Sequence, residues 1–117
     1  MLSDYDVTET IEFLKRIEES IVEKDSFRLD ELLNAMTITM IANREEFDLF
    51  GKWVCSKIEI WKKHPFPEIK LVLLQFSFNK DRFKKDVIKK VREFCKDNMR
   101  NVENSELSQI MADIYER

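Results

Sequence analysis

Glycine is almost missing from this chain of 117 residues, which has one glycine, two prolines, two cysteines and one histidine. Tight β-turns, phosphate-binding loops and dinucleotide fingerprints need residues that tolerate positive φ, which glycine does best. With Gly51 alone, the sequence argues against hairpin-rich sheets and contains neither nucleotide-binding motif. Because His64 is the only histidine, the chain cannot form a metal site with several histidine ligands.

Long apolar runs and targeting signals are missing as well. The longest apolar run, Leu71–Leu74, is far too short to span a bilayer. The first thirty residues hold more acids than bases and no continuous apolar stretch, unlike a transit or signal peptide. We therefore expect an intracellular protein without membrane contact. Cys55 and Cys95 have no metal-binding or catalytic spacing, so we expect two buried free thiols, no metal and no cofactor.

What the chain does have is helical periodicity. Its hydrophobic content of 44% is enough for a core, and its length fits a single domain covering residues 1–117. Apolar residues recur three or four positions apart in three long and three short stretches. The pattern predicts an all-α fold of about six antiparallel helices in three hairpin units, either a short α-solenoid or a compact bundle. Glu18 is the one break in the apolar face of the first helix.

Helix-start signals recur with a regular period. The long helices are predicted to begin at Asp6, Asn43 and Asn79, which are 37 and 36 residues apart. The short helices are predicted to begin at Asp30, Pro67 and Ser105, which are 37 and 38 residues apart, with Ser105 as an N-cap. A period of 36 to 38 residues with two helices per unit is typical of α-solenoid repeats. A six-helix bundle with regular helix lengths would give the same pattern.

Two segments are also compatible with strands. Met36–Ala42 and Leu71–Phe78 are rich in β-branched and aromatic residues. Both lie at the same place in the proposed unit, and neither is followed by hairpin-turn residues. We therefore predict helix for both, with strand as the alternative.

Three stretches resemble known helical repeats. Ser105–Ile114, Phe27–Met36 and Asn43–Phe50 are similar to units of the octotricopeptide, heptatricopeptide and FAST-type families. The resemblance covers the whole chain as about three units. It implies an α-solenoid that acts on organellar RNA or inside a ribonucleoprotein assembly.

The formal net charge of −3 hides a strong segregation of charge. Residues 1–51 hold 5 bases and 13 acids, and residues 52–102 hold 14 bases and 6 acids. At 100° per residue, one stripe of the last long helix is basic and lies opposite its apolar face. The stripe predicts contact with phosphates or an acidic partner, although an ordinary solvated face has the same pattern. The predicted binding residues are Lys62, Lys63, Lys80, Lys84, Lys85, Lys89, Arg92 and Lys96, and Lys70 could extend the patch.

Hydrophobic side chains suggest a second kind of contact. Trp53 and Trp61 fall off the main apolar stripe of their helix, so they are either covered on a second side or anchor an interface. Residues of the first and last units have no neighbouring unit beyond them and are expected to be exposed at the ends. The predicted protein interface therefore comprises Trp53, Trp61, Ile110, Met111 and Ile114, and Ile17 and Ile21 are expected to be exposed in the same way.

Three functions are compatible with these patterns. The leading hypothesis is a non-enzymatic interaction module, an adaptor or small subunit of a larger complex, with a ribonucleoprotein complex as one option. It would bind a protein partner or form a homo-oligomer. The first alternative is binding of a nucleic-acid backbone through basic residues 52–100. The second is a small viral, phage or bacterial inhibitor or immunity protein whose acidic half covers a basic enzyme site. No small-molecule substrate is suggested by any motif.

Overall fold

The computed structural model describes residues 8–40, 44–61 and 69–116, and in these ranges it has six α-helices and no strand. The helices are α1 (Thr8–Val22), α2 (Ser26–Met40), α3 (Arg44–Trp61), α4 (Ile69–Phe78), α5 (Lys85–Asn98) and α6 (Ser105–Glu116). A short 3-10 turn, Lys80–Arg82, lies between α4 and α5. The all-α prediction is confirmed. Leu71–Phe78 and Met36–Met40 are helical, and residues 41–42 lie outside the described ranges.

Two of the predicted helix starts are wrong. Helix α2 begins at Ser26 rather than at Asp30, because Asp25 accepts a 3.0 Å hydrogen bond from the Arg28 backbone N–H and caps the helix. Helix α5 begins at Lys85 rather than at Asn79, since the 3-10 turn separates Asn79 from it.

Helix α6 begins at the predicted place with a different cap. Asn104, not Ser105, accepts the 3.0 Å hydrogen bond from the Leu107 N–H. The other predicted starts, Asp6, Asn43 and Pro67, lie outside the described residues.

The turn between α1 and α2 is made without glycine. Lys24 has a φ of 57°, in the left-handed region that glycine normally occupies. Its N–H donates to the Ile21 carbonyl at 3.1 Å, and the Asp25 N–H donates to the Ser20 carbonyl at 2.9 Å. These two bonds form a Schellman motif, which satisfies carbonyls at the end of α1 and brings α2 back against it.

The helices pack in two rows. In the odd row α3 lies between α1 and α5, and in the even row α4 lies between α2 and α6. The rows are joined mainly by the packing of α1 on α2 and of α5 on α6. We call α1/α2, α3/α4 and α5/α6 the first, middle and last pairs. Successive pairs therefore stack along one direction.

Contacts between successive pairs join residues 36 positions apart. The Thr10 hydroxyl donates to Glu46 at 3.2 Å, and the ring centroids of Phe47 and Phe83 are 5.6 Å apart. Two ion pairs have the same separation along the chain: Lys84 with Asp48, at 3.4 Å, and Lys70 with Glu106, at 3.1 Å. The middle pair thus contacts the last as the first contacts the middle. The resemblance to named repeat families stays a prediction.

The core lies between the rows, and four phenylalanine rings cluster where α3, α4 and α5 meet. Phe83, just before α5, is 4.6 Å from Phe76, 5.6 Å from Phe47 and 5.7 Å from Phe50 between ring centroids. Gly51 explains how closely these helices approach. A Cβ at Gly51 would stand 3.2 Å from Phe83 Cδ1 and 3.2 Å from both Val87 methyls. The only glycine therefore serves helix packing rather than a turn.

A polar contact fixes the position of α4 on α2. Gln75 is buried, and its amide N–H donates to Asn34 at 2.6 Å. Its amide oxygen is 3.3 Å from the Thr37 hydroxyl, whose one proton is also within reach of the Leu33 carbonyl at 3.0 Å. A slip of α4 along α2 would break the bond to Asn34.

Glu46 is a buried carboxyl group in the first turn of α3. Only 1% of its side chain is exposed, and its Oε2 has no hydrogen-bond partner among the described residues. Burial raises the pKa of Glu46, because desolvation disfavours the ionised form. A raised acid pKa in the folded state gives stability that is present below the unfolded-state pKa and is lost as the pH rises through the folded-state pKa.

Replacing Glu46 with glutamine is therefore expected to stabilise the protein at neutral pH. Glutamine is neutral at every pH, so the variant should lack the part of the stability loss that Glu46 contributes as the pH rises. Urea unfolding of both proteins between about pH 4 and pH 8 measures the difference. Glu31→Gln removes an exposed carboxyl group and is the control. Equal stability of Glu46→Gln and the parent protein at neutral pH would contradict this account.

Candidate interaction surfaces

A groove with two tryptophans lies between the C-terminal ends of α1 and α3. Trp53 and Trp61 pack edge to face, with ring centroids 6.0 Å apart and an interplanar angle of 74°. The groove has a volume of about 220 Å³. We call it the tryptophan groove, lined by Ile21, Val22, Trp53, Ile60 and Trp61, with Glu18 and Lys57 at one side.

Polar bonds hold one wall of the tryptophan groove. Glu18 accepts a 2.8 Å hydrogen bond from Trp53 Nε1 and forms a 2.7 Å ion pair with Lys57. The hydrogen bond from Lys57 is the largest cause that lowers the pKa of Glu18, and partial burial opposes it. Glu18 is therefore ionised at neutral pH and fixes the indole of Trp53. In the sequence, Glu18 is a charged residue inside an otherwise apolar helix face, and this break was the signal for the site.

The rim of the tryptophan groove exposes two aliphatic side chains. Val22 is 81% exposed and Ile60 is 53% exposed, whereas Trp61 is only 4% exposed. Trp61 is thus a buried floor residue, while Trp53 is half-buried. The two tryptophans were predictable from the sequence and Val22 and Ile60 were not, since a helical wheel does not show which neighbour fails to cover a side chain.

The predicted end residues are covered by the chain itself. Met111, Ile114 and Ile17 are buried in the core, and Ile110 is half-buried against it. The expectation that Ile17, Met111 and Ile114 are exposed is wrong, because packing between the two rows covers them. Ile21 is half-buried and lines the tryptophan groove. Among these residues, Trp53, Trp61 and Ile21 meet at one surface.

Basic side chains converge on a second surface, where α5 meets the end of α6. Lys85, Lys89, Arg92 and Lys96 line a groove of about 420 Å³ together with Ile88, Glu93 and Tyr115. We call this surface the basic end face. The predicted stripe of the last long helix is thus one continuous surface. Ile88 and Tyr115, which the sequence analysis missed, are half-buried apolar residues between the charges.

Arg92 is held in place by the end of α6. Its Nε and Nη2 donate to the Tyr115 carbonyl at 3.2 and 2.8 Å, and its guanidinium lies 6.0 Å from the centroid of the Tyr115 ring. This bond satisfies a carbonyl that the helix end leaves without a partner. The Lys96 ammonium is also 6.0 Å from the same ring centroid. Arg92 therefore shapes the basic end face, and the lysines supply its accessible charge.

The other predicted basic residues with a described position do not line this face. Lys84 is paired with Asp48, Lys70 is paired with Glu106, and Lys80 lies half-buried in the 3-10 turn. Lys62 and Lys63 lie outside the described residues. The structure thus brings four of the eight predicted basic residues together.

Neither cysteine is activated as a nucleophile. Burial raises the pKa of the Cys95 thiol to about 12, and burial also raises the pKa of the half-buried Cys55. Within the described ranges, no group of three or more His, Cys, Asp or Glu side chains is placed to hold a metal ion. None of the helices described is both long and apolar enough to cross a membrane.

Comparison with known proteins gives no relative. No protein-family model, no curated protein and no solved structure matches the chain. The function is therefore argued from the two surfaces alone.

Proposed function

We propose that this chain is a non-enzymatic protein-interaction module, a small subunit or adaptor that binds a protein partner through the tryptophan groove. The observation that carries this proposal is the pair of exposed aliphatic side chains, Val22 and Ile60, beside two packed indoles. Fully burying one such aliphatic side chain contributes about 1.5–3 kcal/mol. Aromatic residues in well-packed positions are the usual anchors of protein interfaces.

The polar side of the groove fits a protein partner better than a small metabolite. Glu18 and Lys57 neutralise each other, so the described residues of the groove present no unpaired charge for recognising an ionic ligand. An apolar centre with a polar rim is the usual composition of a protein interface. The expected occupant is an apolar side chain from a partner helix that lies across the ends of α1 and α3.

Binding of a nucleic-acid backbone ranks second. It would depend on lysines that are free to contact phosphates, and Lys70 and Lys84 are paired with carboxylates instead. Lysines dominate over arginines in the rest of the patch, which gives little base-specific recognition.

Replacing Ile60 with aspartate tests the proposed interface. The charge would lie beside the two indoles, and we expect it to weaken partner binding by about 30-fold or more, the effect of losing an interface hot spot. The measurement is quantitative affinity capture from the native source, followed by the native mass of the recovered complex. A constant stoichiometric complex supports a subunit, and recovery of a single enzyme in inactive form supports an inhibitor.

Ile38→Asp is the matched control for this experiment. Ile38 is 71% exposed in the even row, so the same charge is introduced on a different surface. Any partner that binds the tryptophan groove should be retained by Ile38→Asp and lost by Ile60→Asp. Equal retention by the two variants would refute the tryptophan groove as the interface.

A further inference from the structure

The basic end face closes one end of the stacked helices. On α5, Val87 packs against Gly51 and so marks the side that faces α3. Lys85 and Lys89 lie on the other side of the same helix, where no further helix of the described chain follows. Both are exposed, and neither has a carboxylate partner within the described ranges. This end therefore combines accessible positive charge with the half-buried Ile88 and Tyr115.

The opposite end of the odd row carries the opposite charge. Helix α1 faces α3 through Thr10 and Glu18. Glu9 and Glu12 are exposed elsewhere on α1 and line a groove of about 410 Å³ with the half-buried Phe13. We call Glu9, Glu12 and Phe13 the acidic start face. Arg16 also lines this groove, and neither glutamate has an ion-pair partner among the residues described.

Successive helix pairs inside the chain are joined by lysine–carboxylate pairs. Glu18 of the first pair bonds Lys57 of the middle pair, and the middle and last pairs are joined in the same manner through Asp48 with Lys84 and Lys70 with Glu106. The two end faces carry the same two kinds of group, lysines on the basic end face and carboxylates on the acidic start face. Lys85 and Lys89 are four residues apart, and Glu9 and Glu12 are three apart, so each pair spans one turn of its helix.

We infer that the basic end face binds the acidic start face of a second copy of this chain. Helix α1 of one copy packs on α5 of the next, with Glu9 and Glu12 opposite Lys85 and Lys89 and with Phe13 towards Ile88 and Tyr115. The contact uses two different surfaces, so it is head-to-tail and continues from copy to copy unless the rotation closes a ring. It lies away from the tryptophan groove, and its test is independent of the proposed function.

Charge-swapped variants test this contact with the full-length chain. The 14.1 kDa parent should gain mass with concentration at low salt and return to monomer above about 0.5 M salt, where such charges are screened. K85E/K89E and E9K/E12K should each remain monomeric, because each has two end faces of the same sign. An equimolar mixture of the two variants should associate again, since both contacts are then complementary. Sedimentation velocity measures the mass in every case.

K52E/K90E is the matched control, with the same change in net charge at exposed lysines away from the end face. It should associate like the parent, and circular dichroism establishes that each variant is folded. The inference is overturned if the parent stays monomeric at low salt, or if the mixture does not associate. It is also overturned if the monomeric parent binds a single-stranded oligonucleotide and K85E/K89E does not, since the basic end face would then be a nucleic-acid site.

Discussion

Replacing Phe83 with alanine is expected to lower the free energy of unfolding by about 3–5 kcal/mol, the usual cost of deleting a buried phenylalanine ring. The ring lies within 6 Å of three other phenylalanine rings, between centroids, and it connects α3, α4 and α5. Its removal leaves a cavity at the junction of the two rows, and the surrounding rings can fill it only in part. Because domains are stable by about 5–15 kcal/mol, this loss is a large fraction of the total. Urea unfolding measures it.

Phe78→Ala is the matched control, five positions along the chain. Phe78 is 71% exposed at the end of α4, so its truncation should change the free energy of unfolding by no more than about 0.5 kcal/mol. Similar losses of unfolding free energy in the two variants would mean that Phe83 does not hold α3, α4 and α5 together.

Replacing Gly51 with leucine is expected to destabilise the protein by about 1–3 kcal/mol or more, even though leucine is the better helix former. The first added carbon would already stand 3.2 Å from Phe83 and from both Val87 methyls. Those contacts are tighter than normal packing, and the rest of the leucine side chain has to enter the same space. Helix α5 would have to move away from α3, which separates Phe83 from the rings of Phe47 and Phe50. The unfolding midpoint in urea should fall accordingly.

Lys52→Leu is the control that separates steric clash from the change in helix propensity. Lys52 is the next residue of α3 and is exposed, so leucine there has room and should leave stability within about 0.5 kcal/mol of the parent. If Gly51→Leu were as stable as Lys52→Leu, the close approach of α3 and α5 would be wrong.

The fold class was predictable from the sequence because apolar spacing is a local property. A stripe of apolar residues every three or four positions indicates which face of a helix is buried. The structure confirms this for Val87 and Phe76, which are both buried. The starts of α2 and α5 were not predictable in the same way. Asp25 and Asp30 are equally good capping residues by type, and only the turn at Lys24 selects the first.

The surfaces were predictable in part. The stripe of Lys85, Lys89, Arg92 and Lys96 follows from helix geometry, and the structure brings it together. Burial of Met111 and Ile114 did not follow, because it depends on how α6 packs against α4 and α5. The ion pair of Lys84 with Asp48 was not predictable either, since it joins two residues that are distant in the sequence.

The stacked rows also determine how mechanical and thermal stress is distributed along the molecule. Among the six helices described, only α3 and α4 have a packed neighbour on both sides within their rows, whereas α1, α2, α5 and α6 are each held in their row from one side. In such a nearly one-dimensional array, the ends open at lower free energy than the middle. Helices α3 and α4 therefore hold the first and last pairs in place from between them. A perturbation of the first pair reaches the last pair only by loosening the packing of α3 and α4.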